Sequence, residues 1–157
     1  MGVKARTTPL LLGLAFLLLI PRATAQVAIA VVVNPGNPIT NISRGDLRKI
    51  FAGEKRVWPH GEPIKLIGRG PGCIERVVLL RFLAMSESDY KHYWAAQVFR
   101  GDADAEPLTV PSVGMQKEAM ALFPGAISLV DAKDVKPGMK LIQVDGLLPG
   151  APGYPLH

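Results

Sequence analysis

The chain has 157 residues, with 18 Lys+Arg against 13 Asp+Glu, a formal charge of +5 and a sequence pI of about 9.6. Its one cysteine, Cys73, excludes an internal disulfide and a four-cysteine zinc site. The basic excess sits at the N-terminus: without residues 1–25 there are 15 basic against 13 acidic side chains, too even a balance for a nucleic-acid footprint.

Those first 25 residues read as a secretory signal peptide. Lys4 and Arg6 precede an apolar run over residues 10–20, and Ala23-Thr24-Ala25 supplies a small-x-small cleavage site. The apolar core is about 11 residues, where a bilayer span needs roughly 20, so a permanent anchor is not expected. Cleavage before Gln26 leaves 132 residues, enough for one domain with its own core. Cys73 is far from that site and is not the lipid-bearing first residue of a lipoprotein. The expected location is the periplasm or the exterior, with the mature form not membrane-embedded.

Residues 27–33 are a β-branched run closed by Asn34-Pro35-Gly36, the pattern of a strand buried on both faces. Ser43-x-x-Asp46 opens a helix through Leu47, Ile50 and Phe51, with Gly53 beyond its end. Residues 64–67 read as a short strand, broken by Gly68-Arg69-Gly70-Pro71-Gly72. The run over 74–83 admits helix or strand; the lack of alternation favours helix. Ser86-x-x-Asp89 caps a helix carrying Tyr90, Tyr93, Trp94 and Val98, an aromatic stripe most simply assigned to the core.

Residues 101–111 read as a surface loop, and Ser112 caps a helix ended by Pro124-Gly125. Residues 126–130 and 140–144 complete the strands. The alternation predicts an α/β fold, a small and mostly parallel sheet flanked by helices over residues 26–145. Residues 146–157, with three Gly and three Pro, are expected to be a loose tail with little that packs.

The most suggestive chemistry is the glycine turn feeding a helix. Unsatisfied N–H groups and the positive end of the macrodipole favour an anion there, and Arg69 adds a bidentate donor. The candidate ligand groups are Arg69 and the amides of Gly70, Gly72 and Cys73. Ser112 and Gly114 form a second candidate turn, whose plain reading is an N-cap. Glu75 is the one nearby acceptor. His60, His92 and His157 lack metal-ligand spacing, and no metal or cofactor is expected. No catalytic constellation is recognisable, and the expected function is not enzymatic. Trp58 is expected to pack on the core, and Lys55 and Arg56 to be solvated.

Three segments in order resemble the substrate-binding proteins of bacterial phosphate ABC transporters. The first is Asn37-Pro38, then Ile42-Ser43, Leu47, Ile50-Phe51, Gly53, Trp58 and Gly61. The second is residues 68–73, where the family carries an arginine and a Ser-Gly-Thr turn that holds phosphate. The third is Ser112-x-Gly114-Met115 followed by Phe123-Pro124-Gly125-Ala126-Ile127. Ser86, Tyr90, Tyr93 and Trp94 are similar to a segment of short single-domain relatives.

The resemblance implies one lobe of a type 2 periplasmic binding protein. It also implies a small anionic, phosphate-like ligand and a membrane transporter or receptor as partner. Where the family has Ser-Gly-Thr the chain has Pro71-Gly72-Cys73, which removes two hydroxyl donors and one N–H. Ser128-Leu129 likewise replaces a family Gly-Tyr. The alternative reading is a protein-interaction or sensory adaptor of the same fold without ligand binding.

Overall fold

The computed structural model describes residues 1–2 and 27–157, and residues 3–25 of the signal-peptide reading lie outside the described residues. In chain order the elements are β1 (Ile29–Val33), β2 (Asn41–Ile42), α1 (Arg44–Phe51), β3 (Lys65–Arg69) and α2 (Ile74–Leu83). They continue with α3 (Glu87–Phe99), β4 (Leu108–Val110), α4 (Val113–Leu122), β5 (Ala126–Asp131) and β6 (Lys140–Val144). The strands form one sheet in the order β2-β6-β1-β5-β3-β4. The pairs β2/β6, β3/β5 and β3/β4 are parallel, whereas β1 runs antiparallel to both β5 and β6.

Every residue of β1 is buried, and its side chains alternate between two cores. Ile29, Val31 and Val33 join Leu47 and Ile50 of α1, Val78 and Leu83 of α2, and Tyr90 and Trp94 of α3. Ala30 and Val32 face the other way, toward Met120 of α4, Ile67 and Val130. Three helices therefore cover one face and one helix the other.

Local signals explain most boundaries. Ser43 accepts from the Asp46 amide, and Ser86 and Asp89 close a reciprocal capping box. The run over 74–83 is helical and ends at Ala84 in the left-handed conformation. Trp58 is buried, and its indole donates to the Gly125 carbonyl at 3.0 Å. Gly125 is obligatory, because a Cβ there would lie 1.8 Å from the Pro63 oxygen.

Two expectations are corrected. The loop expected over 101–111 contains β4, a three-residue edge strand paired with β3 and stopped by Pro111. The tail is irregular but packed: Leu156 is fully buried and its carbonyl accepts from the Ile29 amide at 3.0 Å. The Tyr154 hydroxyl donates to the Ile29 carbonyl at 2.8 Å, and burial pushes its pKa up to about 12. Glycine and proline counts speak to backbone regularity; they do not exclude two apolar side chains from filling the open end of β1.

Arg76 ties α2 to α3. It is buried, donates to both Glu87 oxygens at 3.0 and 2.9 Å, and stands 3.9 Å from the Tyr90 ring centroid. The hydrogen bonds from Arg76 hold the Glu87 carboxyl below the usual glutamate range.

Leu156→Ala should cost about 2–5 kcal/mol by calorimetry, whereas a loose tail predicts no change. Glu87→Gln should cost about 1–3 kcal/mol at pH 7. Since the native carboxyl titrates below its unfolded value of about 4.5, that stability is present at higher pH and is lost as pH falls through the native pKa. Stability curves of the two proteins should converge toward acid, and parallel curves would contradict the assignment.

Candidate functional site

β3 and β4 are parallel neighbours with Arg69 opposite Val110, so both chains leave the sheet at the same end. Residues 70–73 then turn into α2, and Pro111-Ser112 turns into α4. Ligand sites of open α/β sheets lie at such carboxyl ends of strands. The structure thus brings the six candidate residues to one end of the sheet. Arg69, Gly70, Gly72 and Cys73 form one turn, with Ser112 and Gly114 in the next.

Arg69 is the link between the two turns. Its side chain is 13% exposed; Nη2 donates to the Pro111 carbonyl at 3.1 Å and lies 3.6 Å from the Cys73 sulfur. Nη1 is 3.9 Å from the Glu75 carboxylate, which is itself only 6% exposed. Nε is buried and has no hydrogen-bond partner among the described residues. Glu75 therefore faces the guanidinium and not the solvent.

The glycine turn has a specific cause. Gly72 sits at φ 85°, a conformation that a side chain would strain, and the Cys73 amide closes the turn onto the Gly70 carbonyl at 3.3 Å. Neither Gly70 nor Gly114 is forced to be glycine by a close neighbour: a Cβ would meet only ordinary contacts at 3.8 and 3.7 Å.

α2 differs from the other helices at its start. Ser43, Ser86 and Ser112 each cap through the hydroxyl, whereas Cys73 makes no side-chain cap bond. The first amides of α2 thus keep their donors, with Arg69 beside them. Ser112 meets its plain reading, accepting from the Met115 amide at 3.1 Å, while its hydroxyl proton stays free to donate. Around these turns Ile74, Val77 and Met115 are exposed.

Asp131, at the same end of β5 and nearly buried, is absent from the sequence reading; it pairs with Lys133 at 3.1 Å. No local motif marks it, since only the sheet order brings it near. A cavity of about 510 Å³ lies elsewhere, at the opposite end of the same strands. Among the described residues there is no cluster of three or more potential metal ligands, and no helix long and apolar enough to cross a membrane.

Comparison with known proteins agrees with this architecture. No curated protein sequence matches the chain. An ABC-type phosphate transport receptor from Vibrio cholerae superposes with a TM-score of 0.63 at 22% identity, over 78% of this chain and 48% of that one. PstS from Borrelia burgdorferi gives 0.58 at 20% identity, over 78% and 49%. The chain spans about half the length of these structures, and at such identities the likeness is one of fold. A family profile described as "PBP superfamily domain" matches residues 19–147, most of the sequence. The arrangement of strands and helices is thus that of a known group, and the chain belongs to the PBP superfamily domain family.

Proposed function

We propose that the protein is an exported solute-binding domain that holds a small oxyanion, phosphate or a close chemical relative, for ABC-type uptake or sensing. Its ligand groups are Arg69, the turn amides of Gly70, Gly72 and Cys73, and the Ser112–Gly114 turn. One observation carries the reading. The N-terminus of α2 lacks a side-chain cap and adjoins an arginine whose Nε has no partner. Helix N-terminal amides without a side-chain cap, beside a guanidinium, are what an oxyanion completes. The Vibrio cholerae relative is named a phosphate transport receptor, which supports the same ligand class.

The residues also suggest how ligands are distinguished. The Cys73 amide already donates to Gly70, so the free amides at the start of α2 carry more of the binding than the turn itself. Glu75 accepts hydrogen bonds but cannot donate when ionised. It accepts from the hydroxyl of a protonated phosphate and repels fully ionised sulfate.

The adaptor reading has its own support. The Arg69 guanidinium already serves the Pro111 carbonyl and the Glu75 carboxylate, which gives it a structural role without any ligand.

Thermal unfolding at fixed ionic strength with phosphate, sulfate, phosphonate and small carboxylates separates the two. Phosphate at about 100 times its dissociation constant should stabilise the protein by roughly 2.7 kcal/mol, several degrees in Tm. Arg69→Ala should abolish that shift, and Glu75→Gln should narrow the gap between phosphate and sulfate. No shift with any anion, from a cooperatively folding protein, would overturn the oxyanion reading in favour of the adaptor.

A further inference from the structure

α4 lies on an otherwise apolar layer. Of its three buried residues, Ala119 and Met120 pack with Ala30, Val32, Ile67 and Val130, whereas Gln116 is a polar side chain with no exposure. Apolar contact has no direction, so a helix held by it alone can shift along the sheet at little loss of buried area. A buried amide changes that, because a shift strands its polar atoms without partners.

Gln116 makes such bonds to the sheet. Its Nε2 donates to the Ser128 hydroxyl and to the Leu129 carbonyl, the latter at 2.7 Å, and Ser128 Oγ donates in turn to the Ile67 carbonyl at 2.7 Å. The Leu129 oxygen only accepts, which sets the Nε2 end of the amide on β5.

These contacts belong to a closed ring. From Ile67 the chain runs two residues to Arg69, whose Nη2 donates to the Pro111 carbonyl at 3.1 Å. Ser112 comes next, and its carbonyl accepts from the Gln116 amide at 2.9 Å. Gln116 then returns through Ser128 to Ile67. The ring ties β3, β5, the start of α4 and both turns of the candidate site to one another.

Stability alone does not account for it. Gln116 Oε1 and Arg69 Nε are both buried without a hydrogen-bond partner among the described residues. An apolar side chain at position 116 would carry no unsatisfied oxygen, so what glutamine contributes there is position.

We propose that Gln116 and Ser128 are positioning residues of the oxyanion site, which hold the Ser112 turn against the Arg69 guanidinium. Both are fully buried and act through the turns, without a bond to the anion. The role rests on the oxyanion reading of this end of the sheet. Without the ring α4 shifts, the Pro111 carbonyl leaves Arg69 Nη2, and the guanidinium loses the contact that keeps it beside the first amides of α2.

The test is phosphate titration by calorimetry of the unaltered protein, Gln116→Met and Ser128→Ala, each well below its own Tm. Met120→Ala, one turn along the same helix and equally buried, is the packing control. The two ring variants should bind phosphate about tenfold more weakly, and Met120→Ala should bind it as the unaltered protein does. With no ligand present, NMR should show faster rotation of the Arg69 guanidinium in the ring variants than in the other two proteins. Either ring variant serves if the other does not fold. Unchanged phosphate affinity in a folded ring variant, an equal loss in Met120→Ala, or unchanged Arg69 rotation would each overturn the proposal. An unaltered protein that binds no phosphate would instead sink the oxyanion reading, and the rotation rates would still decide whether the ring holds Arg69.

Discussion

Everything in this fold depends on β1 being buried from end to end. Its five residues have no exposure, and β5 and β6 occupy both of its edges. A strand of that kind needs an apolar layer on each face, or its β-branched side chains remain in water at a cost of roughly 1.5–3 kcal/mol apiece. Helices α1, α2 and α3 supply one layer and α4 the other. Once both faces and the central edges are covered, the surfaces left for chemistry are the two ends of the sheet. The antiparallel course of β1 does not blur those ends, because β3, β4 and β5 run parallel and deliver their carboxyl ends to the same side.

The two ends differ in how they treat charge. At the carboxyl end charges are paired closely, Arg69 with Glu75 and Asp131 with Lys133, and hydrogen-bond donors from α2 converge beside them. At the amino end side chains of both signs line the cavity, and among the described residues no ion pair joins any two of them. The contrast follows from backbone polarity. Helix N-termini follow the carboxyl ends of β3 and β4 and present unsatisfied N–H groups, which favour anions. The amino ends lie beside the C-termini of α1 and α4, whose dipoles turn their negative ends that way.

Legibility from sequence follows the range of the interaction. β1, the serine caps and the glycine stops were readable because each is decided within a few residues: a β-branched run, a hydroxyl three positions before an amide, a glycine at positive φ. β4 was missed because three residues carry no period, and they become a strand only through the Arg69 to Val110 register. The tail was misread because Tyr154 and Leu156 are buried by contact with Ile29, more than a hundred residues away. At the candidate site the glycine turn was visible locally, and so was Glu75. The bond from Arg69 to Pro111 joins positions 42 apart, and only the sheet makes it.

Glu75 sets the electrostatic terms for anything bound beside Arg69. At 3.9 Å and an effective dielectric of about 20, the gross attraction within the pair is about 4 kcal/mol. A dianion seated at similar range from both groups recovers a comparable attraction to Arg69 and meets a comparable repulsion from Glu75, so charge alone provides little net binding. The balance shifts when the anion carries a proton, because repulsion is then replaced by a charge-assisted hydrogen bond from its hydroxyl to the carboxylate. The amides at the start of α2 add to either species alike. On the proposed reading, an oxyanion held at this end of the sheet is therefore selected less by its charge than by whether it can still donate a proton to the buried Glu75 carboxylate.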